Sequence, residues 1–220
     1  MGRRRVVTGH DARGRSVFVT DEAVEPVTVS LLPGAEFHQM WARDAPASLP
    51  RDAHAPDGWR YFPPADGFRF GFFTLGPDSV TLPEDLDVGA ALAELRERLP
   101  GMGDVMEPGH PGMHTTDTVD FDVVLRGEVW LELDDGQEVH LRAGDCVVQN
   151  GTRHAWHNRS SEPVSVAVAL VGARASPDGR RARATGRRGR PGGRDGRGRP
   201  AAPPCRGARR AAGRPRRGLD

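Results

Sequence analysis

The side chains that could do chemistry concentrate in one stretch of the 220-residue chain, between Met113 and Asn158. Its first part, M-H-T-T-D-T-V-D-F-D, holds a histidine and closely spaced aspartates, and its last part, G-T-R-H-A-W-H-N, holds two more histidines. Imidazole and carboxylate groups transfer protons and bind divalent metals. The chain has no glycine-rich phosphate loop, no G-x-S-x-G nucleophile motif and no C-x-x-C pair, which excludes the chemistries that depend on them.

Short strands separated by turn residues must position these groups. The segment Val119–Leu125 is rich in β-branched residues, and Glu128–Leu133 alternates apolar with charged or aromatic residues, which is typical of a half-buried strand. Asp134-Asp135-Gly136 predicts a hairpin turn, because glycine accepts positive φ. Later strands are predicted at Gln137–Leu141, Cys146–Gln149 and Val164–Val171. Short strands with turns at such close intervals predict an antiparallel sandwich or barrel.

The first part of the stretch resembles the first sequence motif of the cupins, a family of small jelly-roll β-barrels. That motif reads G-x5-H-x-H-x3,4-E-x6-G. Counting back from Gly127, Asp120 falls on the motif's glutamate and His114 on its first histidine, while Thr116 occupies the second histidine position.

The last part of the stretch resembles the second cupin motif, G-x5-P-x-G-x2-H-x3-N. Gly144, Gly151, His154 and Asn158 match it, and Gln149 stands about where the proline is expected. Over roughly residues 110–172 the chain is therefore similar to a small, single-domain bacterial cupin of unassigned activity.

The resemblance implies an all-β fold: a cupin-type double-stranded β-helix, or jelly roll, with extra N-terminal strands and one short helix. It also implies a divalent metal (Fe, Mn or Zn) at the barrel mouth, with His114, Asp120 and His154 as ligands. Two histidines and one carboxylate leave coordination positions open for substrate and O₂. The alternative is that both histidines hydrogen bond to Asp120 and Thr116 without metal. His110 is a further candidate ligand.

Strand alternation predicts the neighbours of this site. If Asp120 points into the barrel, so does Asp122, while Phe121, Val123 and Leu125 face another layer. A buried carboxylate must be paired. Asp122 is therefore a candidate catalytic base, with a salt bridge to an arginine as the alternative.

The substrate pocket is predicted to be lined by Thr116, Gln149 and Trp156. Two functions follow. One is a metal-dependent enzyme of small-molecule metabolism, of the oxygenase, isomerase or cyclase type. The other is a ligand-binding or sensing cupin that holds its ligand without metal or chemistry, so the sequence leaves open whether the protein is an enzyme. Cys146 is predicted to be a buried, inert thiol, and His140 and His157 are predicted to be surface histidines.

Residues 1–109 are predicted to supply strands, a Pro-rich loop and one helix that pack on the barrel, whereas the cupin motifs occupy residues 110–173. The aromatic residues Trp59, Tyr61 and Phe62 would pin the loop to the core. Leucines at helical spacing predict a helix at 84–98. N-terminal strands are expected at Arg3–Thr8, Ser16–Thr20, Val27–Leu31, Glu36–Trp41 and Phe68–Leu75.

The C-terminal segment 174–220 differs in composition, with 16 arginines against three aspartates, whereas the rest of the chain carries 15 basic and 27 acidic residues. Its low apolar content predicts disorder. Nucleic-acid binding through these arginines is not favoured, because no aromatic residues are interleaved among them. Two cysteines and no predicted membrane helix favour a soluble cytoplasmic protein. The cupin resemblance implies a homodimer formed through the extra strands.

Overall fold

The computed structural model describes residues 2–49 and 58–174. The predicted disordered tail beyond 174, with Cys205, and part of the Pro-rich loop lie outside the described residues. The secondary structure comprises β1 (Arg3–His10), β2 (Ser16–Val24), β3 (Glu36–Arg43), β4 (Phe68–Leu75), α1 (Val88–Arg98), β5 (Thr118–Arg126), β6 (Glu128–Glu132), β7 (Glu138–Arg142), β8 (Cys146–Asn150), β9 (Ala155–His157) and β10 (Val164–Gly172).

The strands form three antiparallel sheets. The largest has the order β3-β4-β10-β5-β8, a second has the order β7-β6-β9, and β1 pairs with β2 as a separate hairpin. The chain is thus an all-β jelly roll with one helix, as predicted. Strands β3 and β4 extend the five-stranded sheet, which confirms that N-terminal residues add strands to the barrel.

The chain passes from the five-stranded to the three-stranded sheet at Gly127, between β5 and β6. Gly127 has a φ of 79°, and a Cβ atom there would lie 3.0 Å from the carbonyl oxygen of Pro163. Beyond this turn, Val129 and Leu131 are buried against Val164 in one core. The glycine therefore allows one nearly continuous segment to line both sheets.

The hairpin β6–β7 is closed by Asp134–Gly136, as predicted. Asp135 and Gly136 both have positive φ, at 59° and 67°, and the Leu133 amide donates to the Gln137 carbonyl at 2.8 Å. The turn therefore takes the left-handed backbone conformations that its Asp-Gly sequence favours.

The predicted strand Val27–Leu31 is wrong. Only Val27 pairs, exchanging two 2.9 Å backbone hydrogen bonds with Phe37, and the chain then turns, with the Leu32 amide donating to the Val29 carbonyl at 3.1 Å. Prolines at both ends of this segment and the early turn leave too few residues to continue along β3.

The single helix is shorter at its start than predicted. It begins after Asp87, whose side chain accepts a 3.0 Å hydrogen bond from the Ala90 amide and so caps the helix. Ala91 and Leu95 are buried, whereas Val88 and Leu92 are exposed. The helix packs on the core along a narrow stripe. No helix in the described part of the chain is long and apolar enough to cross a membrane.

Strand β5 alternates as predicted, with Asp120 and Asp122 buried. Its outward side chains, however, do not face a second layer: Phe121 and Leu125 are exposed. The prediction of a buried Cys146 is also wrong. In β8 the inward positions belong to its alternate residues, so Cys146 points outward.

Candidate active site in the barrel interior

Two histidines from the two cupin-like motifs lie side by side. His114 and His154 form an antiparallel bridge in which each backbone amide donates to the other residue's carbonyl, at 2.9 and 3.0 Å. Their imidazole centroids are 4.2 Å apart. His154 is buried and His114 is half-buried. The bridge thus places two possible metal ligands or proton carriers at one point.

The hydrogen bonds of these imidazoles fix their tautomers. Nδ1 of His114 lies 2.9 Å from the carbonyl oxygen of Gly112, and Nδ1 of His154 lies 2.9 Å from that of Thr152. A carbonyl oxygen only accepts, so each Nδ1 carries a proton and each neutral ring keeps its lone pair on Nε2. This is the tautomer that a metal-binding Nε2 requires. The partners of the two Nδ1 atoms are therefore backbone carbonyls.

Burial keeps both rings neutral. It lowers the pKa of His114, although the Gly112 carbonyl and Glu107 act against the shift. Burial also lowers the pKa of His154 to about 4, with the neighbouring His114 adding to the effect. At neutral pH both imidazoles are therefore uncharged and able to act as ligands or bases.

Two carboxyl groups lie on the inward side of β5. Asp120 and Asp122 are both buried, and burial raises the pKa of Asp120 to about 6, opposed by a hydrogen bond from Thr118. Burial, and then the charge of Asp120, raises the pKa of Asp122 to about 7. One oxygen of Asp120 has no hydrogen-bond partner. These carboxyls are poised to bind a proton near neutral pH.

The predicted salt bridge of Asp122 is absent from the described part of the chain. By strand register, the nearest inward arginine is Arg69. It pairs with Leu170 of β10, and on its other side Leu170 pairs with Asp120. Its guanidinium is used elsewhere: it donates to the Arg60 and Arg43 carbonyls and to Asp44. The carboxyl of Asp122 is therefore left without a cation.

Tyr61 is a site residue that sequence analysis placed only in the core. Its ring packs edge-on against Phe37 and Phe62, as predicted for the loop aromatics. Burial raises the pKa of its hydroxyl, and the negative charges of Asp122 and Asp120 raise it further. The phenol therefore stays protonated and offers a donor beside two carboxyls. No local sequence signal links this loop residue to β5.

The three residues predicted to line a pocket lie near the imidazoles and carboxyls, and their role in a pocket stays a prediction. Thr116 is buried, with its hydroxyl 2.7 Å from that of Thr118. Gln149 pairs with Asp120 across β5 and β8, and its amide donates to Thr152 at 2.7 Å. The Trp156 ring lies 6.2 Å from the His154 ring, at right angles. His110 is exposed in the preceding loop.

The donor atoms of the three predicted ligands are not all gathered at one point. Among the described residues, Glu132, Glu138 and His157 form a group of possible metal ligands. Their donor atoms all lie within 4.8 Å of one another. The structure thus joins His114 with His154, while the ligand role of Asp120 stays a prediction.

The second group lies on the outer face of the three-stranded sheet. Nε2 of His157 lies 2.7 Å from Glu132, and Arg159 pairs with Glu138. Nε2 of His140 likewise lies 2.8 Å from Glu128. These predicted surface histidines are half-buried and hydrogen bond to carboxylates. The group arises from the register that sets Glu132 opposite Glu138, which residue spacing alone does not reveal.

A jelly roll with two motif-derived histidines and two carboxyls directed into its interior defines a cupin-type barrel protein. The chain belongs to the cupin superfamily: the family model described as "Cupin domain" matches residues 104–171. It is 32% identical over 158 residues to "Phomopsin biosynthesis cluster protein C'" of Diaporthe leptostromiformis, covering 71% of this chain and 70% of that protein.

Two other relatives match shorter segments. "Oryzines biosynthesis cluster protein J" of Aspergillus oryzae is 37% identical over 111 residues, which cover 44% of this chain and 60% of that protein. "Cupin-domain-containing oxidoreductase virC" of Hypocrea virens is 41% identical over 46 residues, covering 21% of this chain and 24% of that protein. These relatives are fungal, and the bacterial assignment stays a prediction.

Proposed function

We propose that this cupin acts on a small organic molecule held inside its barrel, as a metal-dependent enzyme of a biosynthetic pathway. Two relatives carry names that place them in biosynthesis clusters, and a third is named an oxidoreductase. The observation that carries the proposal is the pair of neutral, Nδ1-protonated imidazoles of His114 and His154. Their Nε2 lone pairs are the groups that a divalent metal binds.

The donor types of these residues, two imidazoles and one carboxylate, are those that bind a metal of the Fe, Mn or Zn type. His114 and His154 would supply two nitrogen ligands, and the unpartnered oxygen of Asp120 would supply the carboxylate. Binding a cation would also offset the cost of burying that oxygen without a hydrogen-bond partner. When bound, such a metal supplies coordination positions at which a substrate oxygen or O₂ is polarised or activated.

Proton transfer in this site falls to Asp122. Because its pKa is about 7, both the acid and the carboxylate are populated at neutral pH, which is the condition for an efficient general base. Tyr61 would donate a hydrogen bond to an oxygen of the ligand. Thr116, Gln149 and Trp156 would shape the pocket around it. An oxygenase, isomerase or cyclase could use this combination.

A second candidate function is ligand binding without chemistry. It is favoured by one observation, that Asp120 does not share a 4.8 Å group with the two imidazoles. A raised pKa makes Asp120 a weaker metal ligand near pH 6, since a protonated carboxyl group must lose its proton to bind. A sensing or carrier cupin would then use the same pocket. The cytoplasmic location also remains a proposal.

Metal content tests the proposal. The full chain is reconstituted anaerobically with Fe(II), Mn(II) or Zn(II), freed of excess metal and analysed for metal per chain. Wild type is expected to retain about one ion, and His154→Gln to lose at least tenfold in affinity because one of few ligands is gone. His140→Gln is the matched control, since it removes an outer-face imidazole bonded to Glu128.

Two results would count against the metalloenzyme. Retention of metal by His154→Gln, with loss in His157→Gln, would assign the ion to the outer-face group of Glu132, Glu138 and His157. Negligible metal in wild type with all three ions would leave the ligand-binding function as the better account.

A further inference from the structure

A groove of about 710 Å³ lies between the β1–β2 hairpin and the five-stranded sheet. In β4 the side chains of Phe70 and Phe72 alternate with that of Phe73, which is buried in the core, so the groove is on the outer face of the sheet. Small-molecule sites have volumes of roughly 300–1,000 Å³. The groove is therefore large enough for an organic ligand and separate from the barrel interior.

Three aromatic side chains form the floor of this groove. By strand register Trp41 of β3 lies opposite Phe70 of β4, and the rings of Phe70 and Phe72 meet edge to face with their centroids 5.5 Å apart. Phe70 is 43% exposed. An apolar group placed over Phe70 would remove this surface from water.

Arginine side chains stand over the same floor. The guanidinium of Arg3 lies 4.1 Å from the centre of the Phe72 ring. Those of Arg5 and Arg43 lie 5.7 and 4.8 Å from the centre of the Trp41 ring. Cation–π attraction holds guanidinium groups against aromatic rings in this way. The groove thus combines an apolar floor with positively charged margins.

The charge of Arg3 has no anionic partner among the described residues, whereas Arg5 pairs with Glu22. The Arg3 guanidinium donates to the hydroxyl of Ser165 at 2.7 Å, which uses one of its five N–H groups. Its Nε is buried and has no hydrogen-bond partner. Because an unpaired buried donor costs free energy, an anion bound to this guanidinium would stabilise it.

We infer that the groove binds a small carboxylic acid that carries an aromatic or other flat apolar group. The carboxylate would accept hydrogen bonds from the guanidinium of Arg3, whose planar fork matches the two carboxylate oxygens. The apolar group would cover the exposed ring of Phe70. This site is distinct from the proposed metal centre and does not depend on it.

The acidic residues of the hairpin favour a small anion over a nucleic acid. Asp21 pairs with Arg4, and Glu22 pairs with Arg5, so these two arginines already have carboxylate partners. A phosphate backbone would bring a row of further negative charges against both acidic residues. A single carboxylate needs only the one guanidinium that lacks an anionic partner.

Isothermal titration calorimetry of the full chain with 2-naphthoate tests the inference, with neutral 2-naphthamide and with acetate as matched ligands. Wild type is expected to bind one naphthoate, at least about tenfold more tightly than naphthamide or acetate, since only naphthoate offers both the charge and the apolar group. Circular dichroism establishes that each variant below is folded.

Two variants separate the charge from the apolar floor. Arg3→Gln should reduce the preference for naphthoate over naphthamide to less than about twofold, while the affinity for naphthamide stays nearly unchanged. Phe70→Ser should weaken both naphthyl ligands, by at least about threefold, because the exposed ring is lost. The unchanged naphthamide affinity of Arg3→Gln would show that the groove keeps its shape.

The matched control is Arg15→Gln, at the turn of the same hairpin, where the guanidinium pairs with Asp11. Neither this variant nor His154→Gln in the barrel interior should change the affinity for naphthoate. The inference is overturned if wild type binds naphthamide or acetate as tightly as naphthoate, or binds none of them. It is equally overturned if Arg3→Gln and Phe70→Ser bind like wild type, or if His154→Gln abolishes binding, since the ligand would then lie elsewhere.

Discussion

His114 and His154 are held together by their own backbones. Each donates its amide to the other's carbonyl, at 2.9 and 3.0 Å, and the two rings stand 4.2 Å apart. The separation of the imidazoles therefore depends on a strand-like bridge rather than on flexible side chains. A site built this way is preorganised, because little side-chain freedom remains to be lost when a ligand binds.

Asn158 is predicted to be a structural residue of its motif. It is buried, its amide donates to the Leu75 and Glu162 carbonyls at 3.0 and 2.8 Å, and its oxygen accepts from Ser160. Asn158→Ala should lower the free energy of unfolding by about 2–4 kcal/mol, because the Leu75 and Glu162 carbonyls lose the donor of a buried side chain. Urea unfolding measures this, with the exposed Asn150→Ala as control, expected to change by less than about 0.5 kcal/mol. Equal losses in the two variants would contradict the assignment.

Two glycines of the motifs are predicted to differ in importance. Gly127 and Gly144 both have positive φ, but a Cβ at Gly127 would meet the Pro163 carbonyl oxygen and Val164 at 3.0 Å, whereas none lies near Gly144. Gly144→Ala should cost about 1–2 kcal/mol from backbone strain alone. Gly127→Ala should cost at least about 1 kcal/mol more, because the sheets must also shift. Thermal unfolding of both variants tests this. A smaller loss of stability in Gly127→Ala than in Gly144→Ala would show that the chain is not tightly packed where it passes between the sheets.

Asp122 is predicted to lower stability at alkaline pH. Its pKa is raised from 3.8 to about 7, so the folded state binds a proton that the unfolded state has released between these values. The contribution of the Asp122 carboxyl group to the free energy of unfolding is therefore largest below about pH 4. It is lost as the pH rises through about 7. Asp122→Asn should stabilise the fold by about 2–4 kcal/mol at pH 8 and by little at pH 4.

The control for this experiment is Asp135→Asn, at the exposed hairpin turn, which should change stability by less than about 0.5 kcal/mol at either pH. Denaturant unfolding at pH 4, 6 and 8 measures the dependence. If Asp122→Asn is less stable than wild type at pH 8, the carboxylate has a favourable partner. The assignment of Asp122 as an unpaired base would then be contradicted.

The strands from β5 onward were predictable because their signals are local. Alternation along Thr118–Arg126 correctly placed Asp120 and Asp122 inside, and turn glycines fixed the ends of the strands. The predicted strand Val27–Leu31 was wrong, because a β-rich composition does not show whether a neighbouring strand is available for pairing. Only Val27 reaches Phe37 before the chain turns. Strand pairing is a tertiary property that composition does not carry.

Parts of the site depend on long-range packing and were not predictable. Tyr61 reaches the carboxyls of β5 from a Pro-rich loop, and Glu132 meets Glu138 only through the register of β6 and β7. The outward side chains of β5 were predicted to face another layer, but Phe121 and Leu125 are exposed. Alternation shows which side of a strand is apolar, not what lies against it.

The central claim is that His114 and His154 present free Nε2 atoms to a metal, and ¹⁵N NMR of the imidazoles tests it most directly. In the metal-free protein at neutral pH, both should be Nδ1-protonated, whereas His140 and His157, which donate from Nε2 to carboxylates, should show the opposite tautomer. Single His→Gln variants assign the signals. Added Zn(II) should shift Nε2 of His114 and His154 while their Nδ1 stays protonated. If their Nε2 atoms carry the protons, or if Zn(II) moves only the His157 signals, the metal site proposed in the barrel is contradicted.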